Sequence, residues 1–347
     1  MNNNVKTKQN AGISVKTKKM IFVYGFLAWP ILHFLVFWFG MNVGTFVDSF
    51  FEYNLSGQRS FVGFENYVTA FKIFIGQKEN GVVNHYALLN SLSLIPLSLL
   101  INLPLTLIFA YAIYKKVLLY RFYRIVLFLP AVISVVVLCL VYRSALDNSS
   151  GIIIQFLRLI GLGGDGSQSN TGIVPVGGFL GNDKTVWGTI LVFSVWTGVN
   201  GNLVYFSSAM ARLPQSVFES AEIDGATQLK QFGSICIPLI WPTITTLSVT
   251  LVAGVFGWMM PSLLLTDGTS ERASTLGLLI AVSVKNDSKN TVINAIGVLV
   301  AVFGSAIILT FRYFMSKITE EVDENKIFCR RQGFSYHMFY NNGRFRA

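Results

Sequence analysis

Charge is scarce in this chain. Only 13% of its 347 residues are Asp, Glu, Lys or Arg, against about 25% in a soluble globular domain. So few charges cannot cover a solvated surface, so much of the surface must face lipid. Cysteine is also scarce. Cys139, Cys236 and Cys329 make no paired framework and no Cys-x-x-Cys, which leaves buried or free thiols rather than a disulfide scaffold. No Gly-x4-Gly-Lys-Ser/Thr occurs, so the chain does not itself cradle nucleotide phosphates. The nearest approach, Gly161-Leu-Gly-Gly-Asp-Gly166, reads as a flexible, turn-rich loop. A Ser-His-Asp set, a His/Cys metal cluster and an intramembrane carboxylate pair are all missing. A membrane enzyme is therefore disfavoured and no metal site is expected.

What is abundant is apolar. Hydrophobic residues make up 52% of the chain, with 29 Phe. Length alone would suggest two soluble domains; the apolar content replaces that with one helical bundle. Segments 20–40, 88–114, 123–143, 186–208, 239–264 and 291–314 each reach the roughly 20 residues that cross a bilayer. Pro30, Pro96, Pro104, Pro130, Gly198, Gly201, Gly254 and Gly257 lie inside them. Such residues damage soluble helices but are tolerated in membrane bundles. The expected fold is an all-α integral membrane protein, a polytopic bundle of six transmembrane helices.

The formal net charge is +10, but its placement does not suit nucleic acid. Basic residues flank the apolar spans instead. Lys6 to Lys19, Lys115, Lys116, Arg121, Arg124, Arg212, Lys230 and the basic residues after Arg312 fall on one side. Fewer fall in the longer opposite loops, 41–87, 146–185 and 266–290. The positive-inside rule then puts both termini in the cytoplasm. This divides the chain into a tail, 1–19, a six-span membrane domain, 20–317, and a second tail, 318–347, with no assigned role. The first apolar run exceeds a signal-peptide core, so an uncleaved helix is expected there. His33 within it is expected to be neutral and hydrogen-bonded.

One cytoplasmic loop, about 209–238, interrupts the pattern. It reads Glu219-Ser-Ala-Glu-Ile-Asp-Gly-Ala226, followed by Phe232, Ile235, Ile237, Pro238 and Pro242. Ser216 as N-cap with Glu219 three residues on predicts a helix start. Asp224-Gly225 predicts a break, and a second short helix is expected from Gln228 to Ile235. The result is a helix-turn-helix along the membrane face. Its apolar Val217, Phe218, Ala221, Leu229 and Phe232 are expected to need a partner surface.

This spacing resembles the EAA loop of bacterial ABC importer permeases of the maltose/glycerol-phosphate carbohydrate type. Glu219, Ala221, Asp224, Gly225, Ala226, Phe232, Ile235, Pro238 and Pro242 match, with Ser220 and Ile237 as small departures. Phe61-Val-Gly-Phe-Glu-Asn-Tyr67 and Tyr120-Arg-Phe-Tyr-Arg124 with Phe128-Leu-Pro130 extend the likeness over nearly the whole membrane part. The resemblance implies a coupling helix seated in a cytoplasmic ABC ATPase dimer, with Glu219 facing a basic group there and Gly225 shaping the bend. It further implies a second, homologous permease subunit, an extracytoplasmic solute-binding protein, and a bacterial plasma membrane location. The chain itself would hold no cofactor, ATP-Mg being bound by the partner ATPase.

The same resemblance points to span four for a carbohydrate path, through Ser194, Thr197, Gly198 and Asn200. Trp196 and, in span five, Trp258 could add stacking faces. Small and polar residues of this kind also hold membrane helices together. Two other functions remain open: an ion-coupled secondary transporter, and an ABC permease for a non-sugar solute. The first is disfavoured because no Asp or Glu lies well inside a span,.

Overall fold

The computed structural model describes residues 15–53, 58–75, 85–163, 173–286 and 291–331. The end of the glycine-rich run, most of the N-terminal tail and the chain past 331 lie outside them. Helices dominate. α1 (Val15–His33) passes through a π-helical stretch, Phe34–Phe39, into α2 (Gly40–Asp48). A hairpin, β1 (Phe51–Tyr53) and β2 (Arg59–Phe61), pairs Phe51 with Phe61 and leads to α3 (Glu65–Ile75). α4 (His85–Pro96), a second π-helical stretch, Leu97–Asn102, and α5 (Leu103–Tyr114) follow as one run. Next come α6 (Tyr120–Val132), α7 (Val135–Ala145), α8 (Ile152–Leu159), α9 (Gly178–Gly181) and the long α10 (Val186–Met210). The Glu219 loop contributes α11 (Gln215–Ile223), α12 (Gln228–Gln231), a third π-helical stretch, Phe232–Cys236, and α13 (Ile237–Leu239). α14 (Trp241–Val255), α15 (Met260–Thr266), α16 (Leu276–Asn286) and α17 (Thr291–Arg331) complete the described chain.

Four helical runs are long and apolar enough to cross a membrane: Lys19–Asp48, Tyr86–Tyr114, Val186–Met210 and Thr291–Thr319. Two bent pairs raise the number to as many as six. The straight spans expected at 123–143 and 239–264 are both broken. α6 and α7 meet at a bend of 106°, where Ile133 and Ser134 adopt extended backbone. Pro130, inside α6, removes one helical donor and crowds the preceding turn. The second bent pair is α12–α13 with α14, at 74°; at its other end α14 stops at Val255, and a new helix starts at Met260 with Pro261 in its first turn. Gly257 weakens the helix between them, and Pro261 suits a fresh start. The first span is longer than expected and ends at Asp48. None of its most apolar stretch is buried by the rest of the chain. His33, exposed on it, makes a ring contact with Phe37 at 4.6 Å.

The packed centre lies between α5 and α10. Leu103, Leu107, Ala110 and Tyr111 meet Leu203, Phe206, Ala209 and Met210. Leu203, Phe206 and Met210 are wholly buried. Between membrane helices the attraction is dispersion and close fit rather than escape from water. Gly198 is the point of closest fit: a Cβ there would lie 2.5 Å from Asn102 Nδ2. Thr106 Oγ1, one turn on, donates to the Asn102 carbonyl at 2.6 Å and the Val199 carbonyl at 3.3 Å. A second cluster joins α7, α10 and α15 through Leu138, Cys139, Phe193 and Leu265. There, Arg143 forks onto Asp267 at 2.7 and 2.8 Å, fastening the end of α7 to the turn after α15.

Gly198→Ala should therefore destabilise by about 1–3 kcal/mol, the usual cost of overpacking. The measurement is the thermal midpoint of the detergent-solubilised protein. Combining it with Asn102→Ala should recover part of the loss, because the two sites share one contact.

Candidate functional site

The Glu219 loop has two faces. α11 begins at Gln215, with Pro214 at the capping position and no side-chain cap. The expected Ser216 cap is thus not formed. Pro214, at φ −64° and ψ 123°, sets the entry two residues earlier, and the Ser216 carbonyl instead accepts from Ser220 Oγ. The helix closes at Asp224, and Gly225 turns the chain at φ +76°. α12 is shorter than predicted. It starts behind Thr227, whose hydroxyl accepts from the Lys230 amide, and gives way at Phe232 to the π-helical stretch.

The inward face is built on α5. Phe218 and Ala221 are buried in the same cluster as α5 and α10, with Val217 and Phe232 packed against it. Four of the five apolar residues expected to seek a partner are thus covered by this chain itself. Phe218 lies against Tyr114 at 5.5 Å, and Phe232 against Tyr111 at 4.8 Å. Tyr111 OH donates to the Gln228 carbonyl and Oε1. Lys115 Nζ donates to Glu222 Oε1 at 3.0 Å and Gln231 Oε1 at 2.8 Å. Gln231, wholly buried, donates onward to the Ala226 carbonyl. Lys115 holds the Glu222 carboxyl below the usual carboxylate range, first through the hydrogen bond and then through its charge,. The clamp is therefore intact at neutral pH and is lost as pH falls through the depressed Glu222 value.

The outward face is different. Glu219, Ser220, Asp224 and Gly225 are exposed. Ile223 and Leu229 project into the open at 87% and 83% exposure. Two apolar side chains and two acids around a tight turn thus form an uncovered surface. Pro238 stands at the first turn of α13, behind the loop. Sequence reasoning missed Tyr111, Lys115 and Gln231 as parts of this site. In the sequence Lys115 stands out only as a topology signal, although Tyr111 and Lys115, four residues apart, share one helical face.

The span-four residues are dispersed around α10 rather than gathered. Ser194 and Asn200 are buried and bond to carbonyls of their own helix, at Ile190 and Trp196. Thr197, half-buried, bonds to the Phe193 carbonyl. Gly198 faces Asn102. Trp196 is 43% exposed. Trp258 packs edge-on against Trp187 at 6.4 Å. A groove of about 410 Å³ runs between α5, α14 and α17, lined by Leu103, Leu107, Phe232, Trp241, Ile244 and Phe311 among others. None of these six candidate positions lines it.

The Phe61–Tyr67 segment has a structural explanation. Gly63 turns at φ +59°. Asn66, buried, then donates to the Ser49 and Phe51 carbonyls and so ties α3 to the hairpin.

The chain is a multi-helix membrane protein with an exposed acidic turn seated on its central helices. The chain belongs to the family of binding-protein-dependent transport system inner membrane components, whose pattern matches residues 102–321. It is 26% identical over 233 residues to the arabinooligosaccharides transport system permease protein AraP of Bacillus subtilis (strain 168), covering 67% of this chain and 68% of that protein. The sn-glycerol-3-phosphate transport system permease protein UgpA of Escherichia coli O6:K15:H31 is 28% identical over 137 residues, covering 39% and 42% of the two chains. In fold it is similar to a crystal structure of a bacterial ABC transporter involved in the import of the acidic polysaccharide alginate. That likeness has a TM-score of 0.71 at 23% identity, over 88% of this chain and 98% of that one.

Replacing Gly225 with Val should strain the turn by about 1–2 kcal/mol, the cost of left-handed backbone for a residue with a Cβ. The expected readout is faster amide hydrogen exchange across 215–231, with exchange in α10 unchanged.

Proposed function

We propose that this chain is the permease subunit of an ABC importer that takes a carbohydrate from an extracytoplasmic solute-binding protein. The observation that carries the reading is the two-sidedness of the Glu219 loop. Its inner residues are satisfied by this chain, and its outer acids and apolar tips are left uncovered. Such a surface suits a docking partner, because an acid contributes most where a partner desolvates and pairs it. The partner is a cytoplasmic ATPase dimer that binds ATP-Mg, since this chain has no phosphate-binding loop,.

On this reading the chain crosses the membrane six times with both termini inside. The loop of about 209–238 is a coupling helix-turn-helix, and Glu219, Ser220, Ala221, Asp224, Gly225, Ala226, Phe232 and Pro238 form or shape it. A second, homologous permease completes the pore. ATP-driven closure of the ATPases moves the loop and alternates access between the two sides. The carbohydrate class rests on the names of the relatives, which transport arabinooligosaccharides and sn-glycerol-3-phosphate. Ser194, Trp196, Thr197, Gly198, Asn200 and Trp258 are proposed to border the path.

Glu219→Lys should lower ATP-driven uptake by about tenfold or more, the scale of unpairing an interfacial charge, while the protein still inserts in the membrane. Gly225→Pro should act in the same direction. Uptake is followed with labelled arabinooligosaccharides, malto-oligosaccharides and glycerol 3-phosphate in cells with and without the chain. Uptake that survives ATP depletion but stops with an ionophore would replace this reading with an ion-coupled transporter. Normal uptake in both loop variants would remove the docking role.

A further inference from the structure

The uncovered face of the Glu219 loop accounts for docking but not for how its movement reaches the membrane centre. α10 enters the loop through Ala211 to Pro214, where Leu213 packs against the cluster that holds Phe218 and the Arg212 side chain donates back to the Ser208 carbonyl. The side chains that reach both halves of the loop lie on the last turn of α5. Tyr111, Tyr114 and Lys115 share one face by i, i+3 and i+4 spacing. Between them they touch both halves of the loop: Phe218 and Glu222 on α11, and Gln228, Gln231 and Phe232 beyond the turn. Lys115 bridges those halves. Its ammonium reaches Glu222 before the Asp224–Gly225 turn and Gln231 after it, and lies 5.1 Å from the Phe218 ring.

The other end of α5 is equally engaged. Asn102, where the π-helical stretch ends, lies against Gly198, and its Oδ1 is buried without a hydrogen-bond partner among the described residues. α5 spans roughly 18 Å between these ends at 1.5 Å per residue. Along its length it packs on α10 through Leu103, Leu107 and Ala110.

We propose that α5 carries the movement of the Glu219 loop to Gly198 on α10, with Lys115 as the positioning residue that makes the two halves of the loop and the end of α5 move as one body. This rests on the ATP-driven reading above. Lys115 touches neither nucleotide nor substrate. It closes a polar bridge across the turn, so a pull on the outer face is passed to α5 instead of being absorbed by bending at Gly225. The buried Asn102 Oδ1 marks where the far end can change partners when α5 shifts against α10.

The test uses the complete transporter, with its partner chains, in lipid nanodiscs. Spin labels are placed at the exposed positions Ile108 and Tyr205, on α5 and α10. Their separation is measured before and after trapping with ATP, magnesium and vanadate, and ATP hydrolysis is measured with and without the cognate binding protein. In the wild type, trapping should shift the label distance. In Lys115→Met, basal hydrolysis should persist while the shift disappears, and stimulation by the binding protein should fall about tenfold, within the range of measured site-to-site coupling. Lys115→Arg should keep the shift. Lys115→Glu combined with Glu222→Lys should restore part of what Lys115→Glu alone removes. A normal shift in Lys115→Met overturns the proposal, as does a charge swap no better than Lys115→Glu alone. Basal and stimulated hydrolysis falling together would reduce Lys115 to a folding role and also overturn it. A wild-type complex that hydrolyses no ATP would instead remove the transport reading itself.

Discussion

The contact between α5 and α10 is the constraint on which the rest of the structure depends. Lipid gives helices no hydrophobic reason to meet, so the pair is held by fit. Gly198 admits Asn102, and Leu203, Phe206 and Met210 fill the space below. The Glu219 loop is an extension of this contact. Phe218 and Ala221 belong to the same packed cluster as Leu107 and Phe206, so the loop folds as part of the membrane core and not as an appendage. The broken helices are arranged around it. α7 and α15 meet α10 at the far end through Cys139, Phe193 and Leu265, and the fork of Arg143 on Asp267 holds that end closed.

Polar chemistry is used sparingly and locally. Most hydroxyls in the spans, including Ser194, Thr197 and Ser248, donate to a carbonyl one turn back in their own helix. Such bonds satisfy the group without committing it to a neighbour. Exceptions include Thr106 onto Val199 and Tyr111 onto Gln228 from α5, Tyr142 onto Thr189 between α7 and α10, and Thr245 with Thr319 between α14 and α17. Those on α5 reach both the Glu219 loop and the bundle centre.

Much of this was legible in the sequence, but unevenly. The scarcity of charge and the apolar runs specified a helical membrane protein. The fixed gaps from Glu219 to Pro242 identified the loop before any geometry. The bend at Ile133–Ser134 was not legible, because hydropathy is continuous across it and proline inside a membrane span does not by itself announce a break. The orientation of α11 was equally hidden. Period 3.6 groups Phe218 with Ala221, but it does not say whether that face turns to this chain or to another. Ser216 misled because a good capping residue loses to a proline two positions earlier that already fixes the backbone. Lys115 escaped notice because a basic residue beside a span has a sufficient explanation in topology, and its second use depends on a loop more than a hundred residues away.

The two faces of α11 also bear on how such a loop can change over time. Phe218 and Ala221 answer to Tyr114 and its neighbours within one polypeptide, whereas Glu219 and Ser220, beside them in sequence, are exposed and on the proposed reading answer to a docking partner. On that reading inner positions are free to drift only in concert with α5, and outer positions only in concert with the docking partner. A chimera that exchanged the whole segment between related proteins would break the first set of agreements while trying to transfer the second. Exchanging the outward residues alone would leave the internal fit intact and move recognition by itself. Internal fit and partner choice are thus separable traits, interleaved residue by residue on a helix of nine residues.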